Sequence, residues 1–393
     1  MSPKRALPKK IAVLNFGGIG DEILFSPVLD TLKRALPDAK VTLILEKRSA
    51  GISALLPRMN YDNPDAKAQD GVISLDLHEY SRKQLFFKLR DILRGGNFDA
   101  VLSSGSSPFI SAMLFSTGIS YRVGYASSPI APLLLSRAAP LKTRHYASAM
   151  YFSLAQSFLE GLFHPAEIHQ LGLPLHPAPV LAPPHIGHLS WAREALGKLP
   201  RRGAARQRTV LIHPGVSLMS IEKNILKSWP AKYWASFVQT LCPQYPDTSF
   251  ILLGGPDDEA VVGAIRDALE EKHPDKPLME DRWPRNFYDW YGKTRSLEQL
   301  AALIHEADML ISADSAPLHL AVGYQKPVLA MFGPTDEKKL LPKSELYRSV
   351  TVEGLSCRPC LWDHRATSCG RPVCLDVPTE AMIAEFKGVF ARF

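Results

Sequence analysis

The chain has little of what marks a secreted, fibrous or membrane-spanning protein. Five cysteines in 393 residues are too few for a disulfide scaffold and point to a reducing compartment. Glycine and proline together make up about 15% of the sequence, too little for a low-complexity chain. Charged residues make up 22% and hydrophobic residues 46%, an ordinary globular balance that excludes a disordered chain. No run approaches the roughly 20 apolar residues of a membrane helix. The longest uncharged stretch near the middle, residues 100–121, holds seven serines and Pro108. No apolar segment precedes the first predicted strand, so no cleaved leader is expected. Beyond a short basic arm at residues 4–10 there is no lysine–arginine block, and nucleic acid is not an expected partner.

What charge there is lies unevenly. The net charge is +7, with 20 basic and 14 acidic side chains in residues 1–183 against 26 and 25 in residues 184–393. A basic first half suits an anionic partner such as a phosphate or a membrane surface. At about 100–200 residues per domain, the length predicts two domains or three small ones.

Residues 11–16 (IAVLNF) form an apolar run ending in Gly17-Gly18-Ile19-Gly20, the signature of a buried strand. Helical spacing follows over residues 21–36, with Ile23, Leu24, Val28, Leu29, Leu32 and Leu36 on one face. Pro27 inside it predicts a kink or a restart. Residues 41–45 form the next strand, which completes the βαβ unit of a parallel sheet. The pattern repeats at residues 71–75, 81–94 and 100–102. A proline- and histidine-rich stretch, residues 171–188, reads as the interdomain linker. Strands at 209–213, 249–253, 309–311 and 327–332 then alternate with helices at 229–241, 258–270, 296–306 and 316–324. The expected fold class is α/β: two parallel-sheet domains in tandem, with helices on both faces and a cleft between. Ligands in such sheets bind at the carboxyl ends of the strands.

The turn Gly17–Asp21 joins the first strand to the first helix, where free N–H groups can meet an anion. Three readings fit it. Gly18 and Gly20 match the first two positions of a dinucleotide fingerprint, and Glu46 would be its ribose acid, but Ile23 stands at the third position. Asp21 can be a helix cap. Asp21 can also be a catalytic acid at the mouth of the site.

The stretch GGIGDEILFSPVLDTLKRALPDAKVTLI, from Gly17, resembles the opening of the family 9 glycosyltransferases, the lipopolysaccharide heptosyltransferase family. Further matches follow in order: Ile212-His213-Pro214-Gly215, Lys227-Ser228-Trp229-Pro230, Leu253-Gly254-Gly255-Pro256, residues 312–319 (SADSAPLH) and Phe332-Gly333-Pro334-Thr335. The resemblance spans nearly the whole chain. It implies a GT-B architecture of two Rossmann-like domains, inverting chemistry and no required metal or other cofactor. Residues 1–178 would bind the acceptor, residues 179–378 the nucleotide sugar, and a terminal helix, residues 379–393, would cross back to the first domain.

By the same resemblance, Asp21 is the catalytic base that takes the acceptor hydroxyl's proton. Lys227 holds the donor diphosphate, whose charge grows as it leaves, with Lys223 as an alternative cation. Glu259 accepts the ribose hydroxyls, although Asp257 and Asp258 leave that assignment open by two residues and a helix-capping role competes. Asp314 and Ser315 line the diphosphate pocket, bordered by Gly333 and Thr335. Gly18, Gly20, Gly215 and Gly255 allow close backbone or phosphate approach. His319 reads as packed rather than catalytic. The acceptor would be an anionic lipid-linked or lipopolysaccharide-core glycan, attracted by Arg122, Lys142 and Arg144. Residues 101–109 (VLSSGSSPF) depart from the family's usual Asp-Leu-x-Gly pattern, which leaves the acceptor open. The donor expected is ADP-heptose, and the place of action the cytoplasm, with peripheral contact on the inner face of the cytoplasmic membrane.

Cys357, Cys360, Cys369 and Cys374 lie in a proline-rich loop with His364, a spacing compatible with a structural zinc site or with free thiols or a disulfide. Three rival functions stay open: an NAD-dependent oxidoreductase built on the first βαβ unit, a non-catalytic nucleotide-binding module in which Asp21 is a cap, and a transferase of the same fold using another nucleotide-hexose.

Overall fold

The computed structural model describes residues 6–57, 71–174, 177–200, 207–222, 225–271, 283–361, 369–370 and 372–392. Two units divide the chain, Met1–Pro183 and Pro184–Phe393. The division falls inside the proline-rich stretch, a little after residue 178.

In the first unit the strands are β1 (Lys10–Leu14), β2 (Lys40–Glu46), β3 (Val72–Leu75), β4 (Ala100–Ser103), β5 (Tyr121–Tyr125) and β6 (Arg137–Ala139), in the order β3-β2-β1-β4-β5-β6. Every pairing is parallel. Ile11, Ala12, Val13 and Leu14 of β1 are wholly buried. This is why β1 is apolar throughout instead of alternating: helices cover both faces of a parallel sheet. The winding leaves a switch point between β1 and β4, where the crossovers part in opposite directions.

The second unit repeats the winding. Its strands are β7 (Arg208–His213), β8 (Thr248–Leu252), β9 (Phe287–Asp289), β10 (Met309–Ala313), β11 (Val328–Met331) and β12 (Tyr347–Val350), in the order β12-β11-β10-β7-β8-β9. Again every pairing is parallel, and the switch point lies between β7 and β10. Trp229, Trp234 and Phe237 fill one side of the core. The terminal helix, Thr379–Phe390, lies in this unit, against β11, β12 and the helix Ala231–Leu241. Its Phe386 and Phe390 pack on Tyr245 with ring centroids 5.2 and 5.0 Å away.

Pro27 neither ends nor restarts the first helix, which runs unbroken as Ile19–Ala35. A proline there cannot bond the carbonyl four residues back. The hydroxyl of Ser26 does so in its place, donating to the Ile23 carbonyl at 2.6 Å. The Ser26 oxygen in turn accepts the N–H of Val180 at 2.8 Å. Removing this buried hydroxyl strands both groups, so Ser26→Ala is expected to lower stability by about 1–3 kcal/mol, read as a shift in the urea midpoint of unfolding.

Candidate active site

The turn after β1 is built around one carboxylate. Asp21 stands in the first turn of the helix Ile19–Ala35, and its Oδ2 accepts the N–H of Gly18 at 3.0 Å. Its Oδ1 accepts the hydroxyl of Tyr151, 3.3 Å away on the helix Ala147–Glu160. The two helices are tied directly by Ser148, whose hydroxyl donates to the Leu24 carbonyl at 2.8 Å. Burial first, and then the Asp21 charge, hold the Tyr151 phenol well above its ordinary pKa. Tyr151 therefore faces Asp21 as a donor. Gly17 is required here: a Cβ at that position would collide with the Asp21 side chain. Gly18 leaves open room, the nearest atom to its would-be Cβ being Asp21 Oδ2 at 3.9 Å, and Gly20 falls within the helix's first turn.

Glu22, next in sequence, is wholly buried, and neither carboxyl oxygen has a hydrogen-bond partner. Asn15 beside it is 2% exposed, and its amide nitrogen likewise goes unbonded. Burial is the main cause that pushes Glu22 up to about 8. The neighbouring Asn15 amide pulls the other way, and the Asp21 charge adds to the rise. Two adjacent acids thus live in opposite surroundings, one hydrogen-bonded at the turn and one held neutral beneath it. Sequence reading missed both Tyr151 and Glu22. The pairing of an acid with a buried neighbour has no spacing signature, and Tyr151 comes from a helix 130 residues away.

Glu46, the ribose acid of the NAD reading, is 4% exposed and bonded to Arg48 at 2.7 Å.

The second cluster gathers at the carboxyl ends of β7, β8 and β10. Lys227 Nζ donates to Asp314 Oδ2 at 3.1 Å, with both side chains largely shielded from solvent. Trp229 fixes the lysine's loop: it is fully buried and its indole N–H donates to the Val377 carbonyl at 3.1 Å. Ser228 adds a bond to the Pro214 carbonyl at 3.2 Å. Among the three acids after β8, Asp257 accepts the Leu218 N–H at 3.0 Å, and Asp258 accepts the Gly255 N–H at 2.8 Å. Glu259 is exposed at the start of the helix Glu259–Glu271. Asp258 also lies 3.3 Å from His213 Nε2, while Ser315 Oγ lies 3.4 Å from His213 Nδ1. His213 belongs to the Ile212–Gly215 match, which by itself gives it no role. Gly215 has a packing reason for being glycine, because a Cβ would strike the Asp258 carboxylate. Gly333 likewise abuts Leu375, whereas Gly255 is open. Thr335 is 1% exposed, and its hydroxyl has no hydrogen-bond partner. Lys223 lies outside the described residues.

Arg122 does structural work. Its guanidinium donates to the carbonyls of Leu134, at 3.0 Å, and of Ile119, and stacks over Phe115. Lys142 and Arg144 are exposed on the loop that leads into the helix carrying Tyr151. Cys357, Cys360, Cys369 and Cys374 are free thiols, and burial pushes Cys374 up to about 11. Among the described residues no three His, Cys, Asp or Glu side chains gather into a metal-binding group. His364 lies outside the described residues.

The chain thus holds two doubly wound sheets, with an acid at the first switch point and a lysine–aspartate pair at the second. The sequence model of glycosyltransferase family 9 (heptosyltransferase) matches residues 86–369, and the chain belongs to this family. It is therefore an enzyme, a glycosyltransferase. It is 26% identical over 338 residues to lipopolysaccharide heptosyltransferase 3 of Escherichia coli K12, covering 83% of each chain. Its fold matches E. coli ADP-heptose lps heptosyltransferase II at a TM-score of 0.64, with 18% identity, covering 98% of this chain and 99% of that one. A family 9 glycosyl transferase from Veillonella parvula matches at 0.65 with 18% identity, covering 98% of both. These neighbours share the GT-B architecture of paired Rossmann-like domains.

Glu22 gives a test with a definite sign. An acid raised by folding favours the native state while protonated. That preference is complete below its ordinary value of 4.5 and is lost as pH rises through about 8. Glu22→Gln is thus expected to stabilise the protein at pH 9 by a few kcal/mol, with roughly 5 kcal/mol as the ceiling, and to change nothing at pH 4. Thermal melts of both proteins at the two pH values measure the difference.

Proposed function

We propose that this enzyme is an inverting, metal-independent heptosyltransferase that moves heptose from ADP-heptose onto a lipopolysaccharide-core-type acceptor. The family and its heptosyltransferase relatives support the sugar, the nucleotide and the acceptor class. The observation that carries the mechanism is the Lys227–Asp314 pair at the second switch point. An ammonium has three donors. Lys227 can keep Asp314 and still reach a phosphate oxygen, so a fixed cation stabilises the departing diphosphate.

The acceptor oxygen attacks the anomeric carbon from the face opposite the diphosphate. The bond from that carbon to the diphosphate oxygen breaks, and ADP leaves with the electron pair. The acceptor's hydroxyl proton passes to Asp21. One displacement inverts the anomeric centre, and no second carboxylate acts as nucleophile, unlike the retaining case. Glu259 accepts from the donor ribose, a reading supported by the internal bonds that occupy Asp257 and Asp258. Ser315 and Thr335 supply hydroxyls to the diphosphate, with Gly333 and Gly255 at its turns. The Gly18–Gly20 turn admits the reacting groups.

Lys142 and Arg144 attract the anionic acceptor. Phe115 and Leu133 are 53% and 78% exposed on two short helices that pack together, Pro108–Ser116 and Ala131–Leu134, and Ile130, just before the second, is 56% exposed. Exposed apolar tips in a unit with net positive charge suit an anionic membrane surface, at the cytoplasmic face. Among the described residues no helix is long and apolar enough to cross a membrane.

Calorimetric titration with ADP, UDP and GDP in EDTA tests the donor. ADP is expected to bind best, about 10- to 100-fold more weakly in Lys227→Ala. A preference for UDP or GDP moves the enzyme to another nucleotide sugar. In turnover assays Asp21→Asn is expected to lose about 10²–10⁴ in kcat while keeping its affinity for ADP; full turnover would reduce Asp21 to a cap. Flotation with anionic vesicles is expected to carry the wild type upward and to leave the Phe115→Ser, Leu133→Ser double variant behind.

A further inference from the structure

His213 ends β7, and both its ring nitrogens are engaged. Nε2 faces Asp258 at 3.3 Å, and Nδ1 faces Ser315 Oγ at 3.4 Å. The ring is 7% exposed and Asp258 5%. The Gly255 N–H holds the carboxylate in place at 2.8 Å. A carboxylate accepts and does not donate, so Nε2 carries a hydrogen. In the neutral ring Nδ1 is then bare, and the Ser315 hydroxyl points its hydrogen at it. In the imidazolium Nδ1 also carries a hydrogen and donates to Ser315 Oγ, whose own hydrogen must turn elsewhere. The alternatives inside the protein are poor: Ser312 Oγ at 3.3 Å and the Ala313 carbonyl at 3.4 Å. Ser312 itself donates to that same carbonyl at 2.7 Å. Asp258, His213 and Ser315 therefore form a chain with two states, which differ by one proton and by the direction of one hydroxyl.

The charges around this chain decide which state an anion selects. Lys227 is matched by Asp314 at 3.1 Å. Arg358 braces the next turn through the carbonyls of Gly333 and Thr335, but is matched by Glu337 at 2.7 Å. Asp257, Asp258 and Glu259 add negative charge at the end of β8. Among these described residues His213 is the side chain that has both a neutral and a cationic form. An incoming diphosphate brings several negative charges and favours the imidazolium.

We propose that binding of a nucleoside diphosphate at this site draws a proton from solvent onto His213, which turns the Ser315 hydroxyl from the imidazole to a phosphate oxygen. The proposal rests on the donor-site reading above. His213 is a positioning residue in it, acting through Ser315. The proton comes from the buffer on binding and returns when the diphosphate leaves, and no covalent bond to the protein forms.

The test is calorimetric titration of the full chain with ADP at pH 7.5 in two buffers of very different ionisation enthalpy, HEPES and Tris, with adenosine as control. The wild type is expected to take up a substantial fraction of one proton with ADP and none with adenosine. His213→Gln keeps a donor toward Asp258 but cannot titrate. It is expected to bind ADP about ten-fold more weakly, with an enthalpy that no longer depends on buffer. Ser315→Ala is expected to keep the proton uptake and lose roughly ten-fold in affinity, the worth of one hydrogen bond to a charged group. Tight binding of ADP to the wild type with no buffer dependence overturns the proposal and leaves the donor site standing. So does proton uptake that survives intact in a His213→Gln protein whose thermal melt matches the wild type. Failure of ADP, UDP and GDP alike to bind removes the donor site itself, and the proposal with it.

Discussion

Parallel strands cannot be joined by a tight hairpin; each connection must cross over the sheet and re-enter from the far end. Where successive crossovers go opposite ways, two strand ends are left uncovered side by side. Three of the groups described above sit at such places. Asp21 follows β1, His213 ends β7, and Asp314 follows β10. The two units differ in sequence but share this constraint, so each offers one prepared opening to whatever its loops can hold.

The openings are furnished with the same small device. In each, an aspartate three residues after a glycine accepts that glycine's N–H: Asp21 from Gly18 and Asp258 from Gly255. In each, a second glycine, Gly17 or Gly215, leaves the volume the aspartate fills. The device fixes a carboxylate without committing both of its oxygens. What else the carboxylate meets then sets its surroundings. A tyrosine that stays protonated faces Asp21, and a histidine faces Asp258. Beneath the first, Glu22 is a buried acid without a hydrogen bond, a cost to the fold placed one residue from Asp21.

Much of this was legible beforehand, for physical reasons. Buried parallel strands are continuous apolar runs, so β1, β2, β7, β8, β10 and β11 stand out, and glycine turns mark where they stop. Of the edge strands only β3 was legible: β6 (RAA), β9 (FYD) and β12 (YRSV) are short and carry polar residues, one side meeting no partner. The helix Ala147–Glu160 is rich in serine and alanine and shows a weak apolar stripe, yet it carries Tyr151. The helix Ile186–Gly197 starts at the end of what reads as linker and was not expected. Pro27 misled because the rule against proline concerns a stranded carbonyl, and a serine one position earlier removes the penalty. Lys227 and Asp314 were found as motif members, but their pairing belongs to the fold and not to spacing. Arg122, expected to attract the acceptor, is a brace because two carbonyls at neighbouring loop ends turn toward it.

The Ser26 hydroxyl has a mechanical meaning beyond repair of the helix. It holds the Ile23 carbonyl on one side and the Val180 N–H on the other. Val180 lies in the stretch of chain that leaves the first unit. Tension along that strand of chain is therefore delivered to the first helix two residues from Asp21, and the proline that seems to weaken the helix is what frees the attachment point.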